Sequence, residues 1–207
     1  MIKIRLCFSK SGSLRFIGHL DFLKVFQKTI RRAKLPAAYS QGFNPHMQLS
    51  FALPLPLGMT SYHDYADITL EKDMPHDEII SRLNAHAPQG LVIHDAREFT
   101  GSGAAALVEV ADYHFTSIKP VSTDSILSKK EIIIPKKTKS GIKDTDIRPD
   151  IIDLTDTSMR LSAGSGRFLN PLIVLKLLTN QDIDASALVR YELYQKGLIP
   201  LYETPIS

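Results

Sequence analysis

Ile2-Lys-Ile-Arg-Leu-Cys-Phe8, Ser9-Lys-Ser-Gly-Ser-Leu-Arg-Phe-Ile-Gly18 and His19-Leu-Asp-Phe-Leu-Lys-Val-Phe-Gln-Lys-Thr-Ile-Arg-Arg-Ala-Lys34 follow one another without a break. They spell a strand, a loop and a helix. Ile2, Ile4, Leu6 and Phe8 alternate with Lys3, Arg5 and Cys7, which is the period of a half-buried strand. Lys10 to Gly18 is small and polar and carries Lys10 and Arg15 out of the strand toward the helix. From His19 to Lys34 the period lengthens: His19, Phe22, Phe26, Ile30 and Ala33 share one helical face, and Lys24, Lys28, Arg31 and Arg32 share the other. Asp21 complements the positive end of the helix and Pro36 stops it.

Beyond the helix, Ala37 to Ser40 is extended, and Gly42, Asn44 and Pro45 make a turn that displays Tyr39, Gln41, Phe43 and His46. Leu49 to Leu53 resumes a strand. Leu53-Pro-Leu-Pro-Leu57 lacks alternate N–H groups and suits a sheet edge or a polyproline-like segment ending at Gly58. Tyr65 to Leu70 reads as a strand, Pro75 to Ala87 as a helix and Leu91 to Phe99 as a strand. The order is therefore βαββαβ, a split βαβ arrangement of the ferredoxin-like kind. Thr100 to Ala106 reads as a linker.

The second half repeats the logic: strand Val110 to Ile118, helix Thr123 to Lys130, strand Glu131 to Pro135 and a lysine-rich hairpin tip from Lys136 to Gly141. Strands at Ile147 to Leu154 and Ser158 to Ser162 follow, then a Gly164-Ser-Gly166 turn. A helix from Pro171 to Leu178 has Asn170 as its cap, and Ala187 to Tyr194 is the last strand. The expected fold is α+β: two ferredoxin-like modules in tandem with antiparallel sheets, residues 1–100 and 108–207. Element order alone carries the tandem expectation, because the halves share no close residue repeat.

Charge points to a partner. Residues 1–50 hold nine Lys and Arg against the single acid Asp21, whereas residues 51–112 hold three basic and ten acidic residues. A basic third of this kind suits a polyanion. Unpaired RNA needs cations for phosphates, aromatic faces for stacking and amides for base edges. Lys10, Arg15, Lys24, Lys28, Arg31, Arg32, Tyr39, Gln41, Phe43, Asn44 and His46 supply all three. His46, with His19, also allows an acid–base role at a phosphodiester, although His19 lies on the apolar side of its helix. Gly164-Ser-Gly-Arg167 ahead of a helix is a candidate anion site through Arg167, or simply a turn. Cys7 is the sole cysteine, which rules out an internal disulfide and a cysteine-ligated cluster. No metal site and no cofactor is expected. No apolar run nears the roughly 20 residues of a membrane helix, and Met1-Ile-Lys-Ile-Arg5 reads as a strand instead of a signal peptide, so the expectation is a soluble, intracellular protein.

Phe8-Ser-Lys-Ser-Gly12, Arg15-Phe16, His19-Leu-Asp21, Ser40-Gln-Gly-Phe-Asn-Pro-His46, Leu55-Pro-Leu-Gly58, Asp146-Ile-Arg-Pro149 and Asn170-Pro171 together resemble the radical SAM-associated protein family, a bacterial domain of unknown function. That family's pattern continues with a proline and a basic residue after the histidine, where Met47 and Gln48 stand here. The resemblance implies a bacterial cytoplasmic protein found beside, or fused to, radical SAM and cobalamin-binding-type proteins, hence a radical SAM partner. The element order is also similar to the tandem modules of CRISPR repeat-processing endoribonucleases, an analogy of fold alone.

These readings converge on an accessory protein without catalysis of its own. It would bind tRNA or rRNA and present it to a radical SAM modifying enzyme. Two alternatives stand beside it: a metal-independent endoribonuclease using His46, and a module docking on the radical SAM partner through the Leu-Pro repeat without nucleic acid.

Overall fold

The computed structural model describes residues 1–116, 118, 123–138 and 141–203. Strand β1 (Ile2–Lys10) leads through a single 3-10 turn (Gly12–Phe16) into α1 (His19–Arg32). Then come β2 (Leu49–Phe51), β3 (Thr60–Leu70), α2 (His76–His86) and β4 (Leu91–Glu98). The segment expected to be a bare linker contains a short helix, α3 (Ala104–Leu107), because the Asp67 carboxylate accepts from the Ala104 N–H and fixes its start.

The second half runs β5 (Val110–Phe115), α4 (Thr123–Leu127), β6 (Ile133–Thr138), β7 (Gly141–Asp146), β8 (Ile151–Leu154), β9 (Ser158–Ser162), α5 (Pro171–Thr179), β10 (Leu188–Gln195) and β11 (Ile199–Pro200). Lys136, expected at a hairpin tip, sits within β6, paired with Lys143 of β7. Lys139 and Ser140 of that tip lie outside the described residues. Asp146 ends β7: its carboxylate accepts from the N–H groups of Ile132 and Arg148 and turns the chain into a 3-10 turn before β8. The strand expected over residues 147–154 is therefore shortened to its second half.

One sheet runs β4-β1-β3-β10-β5-β9-β8, and β6 and β7 form a separate ribbon. Pairing is antiparallel except between β3 and β10. The same connection pattern occurs twice. In the first half β4, β1, β3 and β2 lie in that order, and in the second β10, β5, β9 and β8 do. The outer side of β3 is shared, with Ala66–Ile68 pairing β2 and Thr60–Ser61 pairing β10. The two halves become one mixed, mostly antiparallel sheet there.

Two apolar clusters follow this division in the main, although Cys7, Ala52, Met59 and Tyr65 of the first half join that of the second half. Phe22, Phe26 and Ile30 of α1 meet Ile4, Leu6 and Phe8 of β1 in one, while Val174, Leu175 and Leu178 of α5 meet Tyr113, Leu161 and Leu193 in the other. Each such large side chain contributes about 1.5–3 kcal/mol when fully buried. Arg190 lies between them. It is 0% exposed, stands on β10 opposite Tyr113, and reaches Asp64, which faces the same way as Phe8. Helices α1 and α5 therefore cover the same face of the sheet. Arg190 also donates to the carbonyls of Leu53 (2.8 Å) and Pro54 (3.1 Å). The Leu-Pro segment, short of N–H groups, is held by a guanidinium in place of a strand. Among the described residues no helix is long and apolar enough to cross a membrane.

Candidate functional site

The amphipathic pattern of α1 decides what the basic stretch shows to solvent. With Phe22, Phe26 and Ile30 turned inward, Lys24, Lys28, Arg31 and Arg32 are all exposed. Lys24 is tied to Asp21 at 3.1 Å, an exposed pair worth little. Lys28, Arg31 and Arg32 carry the field outward. Arg31 Nε donates to the Tyr39 hydroxyl at 3.4 Å, which joins the last turn of α1 to the base of the next loop.

That loop is a closed excursion. Tyr39 bridges Met47, the Ser40 N–H donates to the His46 carbonyl at 2.8 Å, and the His46 N–H donates to Ser40 Oγ at 2.9 Å. Gln48 Nε2 donates to the Tyr39 carbonyl at 3.2 Å, and Met47 is buried, so the residues after His46 anchor the loop. Gly42, at φ +120°, turns the tip with a backbone conformation that a side chain would strain. Gln41, Phe43, Asn44 and His46 are exposed, and Phe43 stands completely in solvent. Packing inward would gain about 1.5–3 kcal/mol for such a ring, and the loop's own hydrogen bonds hold it out. Beneath the loop a groove of about 360 Å³ is lined by Ser40, His46 and Gln48 on one side and by Lys3, Asp67 and Phe99 on the other.

Lys10 and Arg15 behave differently from the helix cations. Lys10 is only 2% exposed, donates to the Ile17 carbonyl at 3.1 Å and lies over the Phe22 ring at 4.7 Å. Burial pulls its ammonium below the ordinary lysine range, with Asp64 opposing. Lys10 thus fastens the loop to the helix and does not present charge to a phosphate. Arg15 is half-buried, with its guanidinium 4.6 Å from the ring of Phe16, which is exposed. His19 is exposed, edge-on to Phe51 at 5.6 Å, and lines a small cavity with Lys10 and Phe51. His46 lines the other groove, so the two histidines do not share a cavity. In the Leu-Pro repeat, Leu53 and Leu55 pack on the core and Leu57 is exposed.

Arg167 pairs with Asp150 at 2.5 Å. Its N–H donates to the Gly164 carbonyl, closing a turn, and the start of α5 is capped by Asn170 Oδ1, which accepts from the Leu172 N–H at 3.0 Å. The elements expected to form an anion site are already engaged with one another. Among the described residues, no group of three or more His, Cys, Asp or Glu side chains is gathered in a way that could hold a metal ion. Burial pushes the Cys7 thiol up to about 12, so it stays a neutral packing group.

A family profile described as an uncharacterized protein conserved in bacteria (DUF2344) matches residues 3–181. The chain belongs to that family. No curated protein matches it. In this DUF2344 chain the matched span contains α1, the Tyr39–Met47 loop and the groove, and stops before β10.

Sequence reasoning missed a second cluster on the face away from α1: Tyr62, His63, His94, His114 and Tyr191, with His63 Nδ1 3.1 Å from the carboxyl of Glu192. Simple alternation assigns Tyr62 and His63 to opposite faces. Only the irregular pairing of the strands brings them together.

Proposed function

We propose that this protein is an accessory RNA-binding factor that holds tRNA or rRNA on α1 and the Tyr39–Met47 loop and presents it to a radical SAM modifying enzyme. The observation that carries the RNA half is Phe43, a fully solvated ring on a hydrogen-bonded loop joined to the exposed cations of α1. Cations fix the backbone and an exposed ring stacks on an unpaired base. Gln41 and Asn44, exposed beside the ring, offer amides to base edges. The radical SAM partner, and work in a bacterial cytoplasm, rest on the resemblance of the Phe8–Gly12, His19–Asp21 and Ser40–His46 motifs.

The same proposal takes the chain as two ferredoxin-like modules, residues 1–100 and 108–207, fused edge to edge. In its support are the strand order, which occurs twice, and the two apolar clusters. The first module would carry the RNA surface, and the second would complete the sheet that supports it.

Lys28→Glu, Arg31→Glu and Arg32→Glu together are expected to weaken binding of a structured RNA and to flatten its salt dependence by about 0.7–0.9 in log–log slope per lost phosphate contact. Filter binding across a salt series measures both. An affinity and slope equal to wild type would remove the helix from the interface.

A further inference from the structure

Regular pairing breaks at one level of the sheet in three pairs of strands. Between β1 and β4 the partners step from Cys7↔Asp95 to Phe8↔Ile93, which leaves His94 over. Between β1 and β3 they step from Phe8↔Asp64 to Lys10↔Ser61, which sets Tyr62 and His63 against the single residue Ser9. Between β10 and β5 they step from Arg190↔Tyr113 to Glu192↔Asp112, which leaves Tyr191 over. A bulge bends its strand and re-aims the extra side chain, and bulges gather next to functional sites. Here the extra residues are members of one cluster.

Their rings touch in series. His63 meets His94 at 6.1 Å and Tyr191 at 5.8 Å, Tyr191 meets Tyr62 edge-on at 5.8 Å, and His114 stacks on Tyr191 at 4.6 Å and 18°. Five rings thus form a row from β4 to β5, and β1 offers only Ser9 at this level. Tyr62 and Tyr191 keep about half of their surface in solvent. His63 Nδ1 is buried against Glu192 Oε2 at 3.1 Å, while 39% of the His63 side chain stays exposed, so the rest of its ring is open to a ligand.

The surroundings narrow the ligand chemistry. A phosphate would need an available cation, but Arg5, Arg97 and Arg160 on this face are paired with Asp67, Asp95 and Asp112, and Lys3 stands six residues along β1 from Ser9, level with Thr69. An alkyl ligand would leave three imidazoles unused. A neutral planar heterocycle with donors and acceptors on its edge uses both the ring faces and the imidazole nitrogens. We propose that this bulge-built row is a binding site for an unpaired nucleobase of the recruited RNA, lying against Tyr62 and Tyr191 with its polar edge toward His63 and His94. The inference rests on the RNA reading above for the source of the base. The groove beneath the Tyr39–Met47 loop, bounded by His46 and by Lys3, opens between that loop and strand residues of this face.

The test uses the full chain with an oligouridylate carrying 4-thiouridine, irradiated and mapped by mass spectrometry. A parallel titration with uridine 5′-monophosphate follows the imidazole Cε1–H signals by NMR. Cross-links at Tyr62 or Tyr191, with affinity reduced about 10- to 100-fold in Tyr62→Leu/Tyr191→Leu, support the proposal. His94→Gln, at an exposed position, serves as the second variant should the double one lose its native circular dichroism, and is expected to weaken binding several-fold. Tight oligonucleotide binding without cross-links here and without loss in either variant overturns the proposal and leaves the RNA reading standing. No oligonucleotide binding, with histidine shifts caused by the mononucleotide and absent in the variants, keeps the base site and overturns RNA as its source. No response to either probe overturns both.

Discussion

Replacing Glu192 by glutamine should make the protein more stable above neutral pH and leave it unchanged in acid. The Glu192 carboxyl is 5% exposed and accepts from the Tyr65 hydroxyl at 2.6 Å and from its neighbour's N–H, that of Leu193, at 2.8 Å. Burial raises its proton affinity first and most. The two donated hydrogen bonds pull back, and the carboxylates of Asp112 and Asp64 push up again, so the group is pushed up from 4.5 to about 7. A carboxyl that holds its proton more tightly in the folded chain contributes stability that is full below the unfolded value and is lost as pH rises through the folded one. At about 1.4 kcal/mol per tenfold change in proton affinity, the interval from 4.5 to about 7 is worth roughly 3 kcal/mol. In Glu192→Gln the side-chain oxygen still accepts from Tyr65 and Leu193, the amide NH2 stands beside His63 Nδ1 in place of Oε2, and the side chain no longer ionises. Wild type and variant should melt together near pH 4, diverge between about pH 4.5 and 7, and differ at pH 8 by about 6–12 °C in Tm, the variant higher. Thermal unfolding followed by circular dichroism across that range measures it, and taking the difference cancels the groups common to both proteins. A difference that stays flat with pH, or a variant that is less stable at pH 8, would refute the assignment of a buried, charge-disfavoured acid.

Three further outcomes are expected. Phe43→Ala should leave Tm unchanged, because the ring touches no core, while weakening RNA binding by about 1–3 kcal/mol; an affinity equal to wild type would remove the ring from the interface. Asp64→Ala strands the buried Arg190 guanidinium and should cost about 3–5 kcal/mol in urea unfolding, a loss under about 1 kcal/mol showing that Arg190 is solvated after all. RNA incubated with the protein in EDTA should stay intact, because His46 and His19 line separate cavities; cleavage that disappears in His46→Ala would transfer the function to catalysis.

Much of the first half was legible because its signals are periodic and local. The alternation of Ile2 to Phe8 and the helical spacing from Phe22 to Ile30 fix two elements and the face each buries, and Gly42 with Pro45 marks the turn. The exposure of Lys28, Arg31 and Arg32 follows directly from the inward side of α1. Lys10 did not follow, since nothing in Ser-Lys-Ser-Gly says that the lysine continues the inward parity of Phe8 and ends against the Ile17 carbonyl. Arg190 was equally silent. In sequence it is one cation in a strand, and its role appears only when β10 pairs with β3 and brings the Leu53 and Pro54 carbonyls within reach. The row from His94 to His114 depends on bulges, which are properties of strand pairs, and a single strand carries no mark of them.

The place of β10 in the sheet has a consequence for how the chain matures. Among the long strands of this sheet it is the last to leave the ribosome, yet it lies in the middle with β3 on one side and β5 on the other. Until residue 188 emerges, β5 waits with an open edge along its length and β3 with one at Thr60–Ser61, and open edges are templates for pairing with other chains. The family match ends at residue 181, seven residues before β10 starts, so a fragment cut at the family boundary would lack the strand that joins its halves. Such a fragment should aggregate during synthesis, whereas one ending after residue 203 should not. The natural unit of this protein is set by the closure of its sheet, and the span of sequence likeness falls short of it.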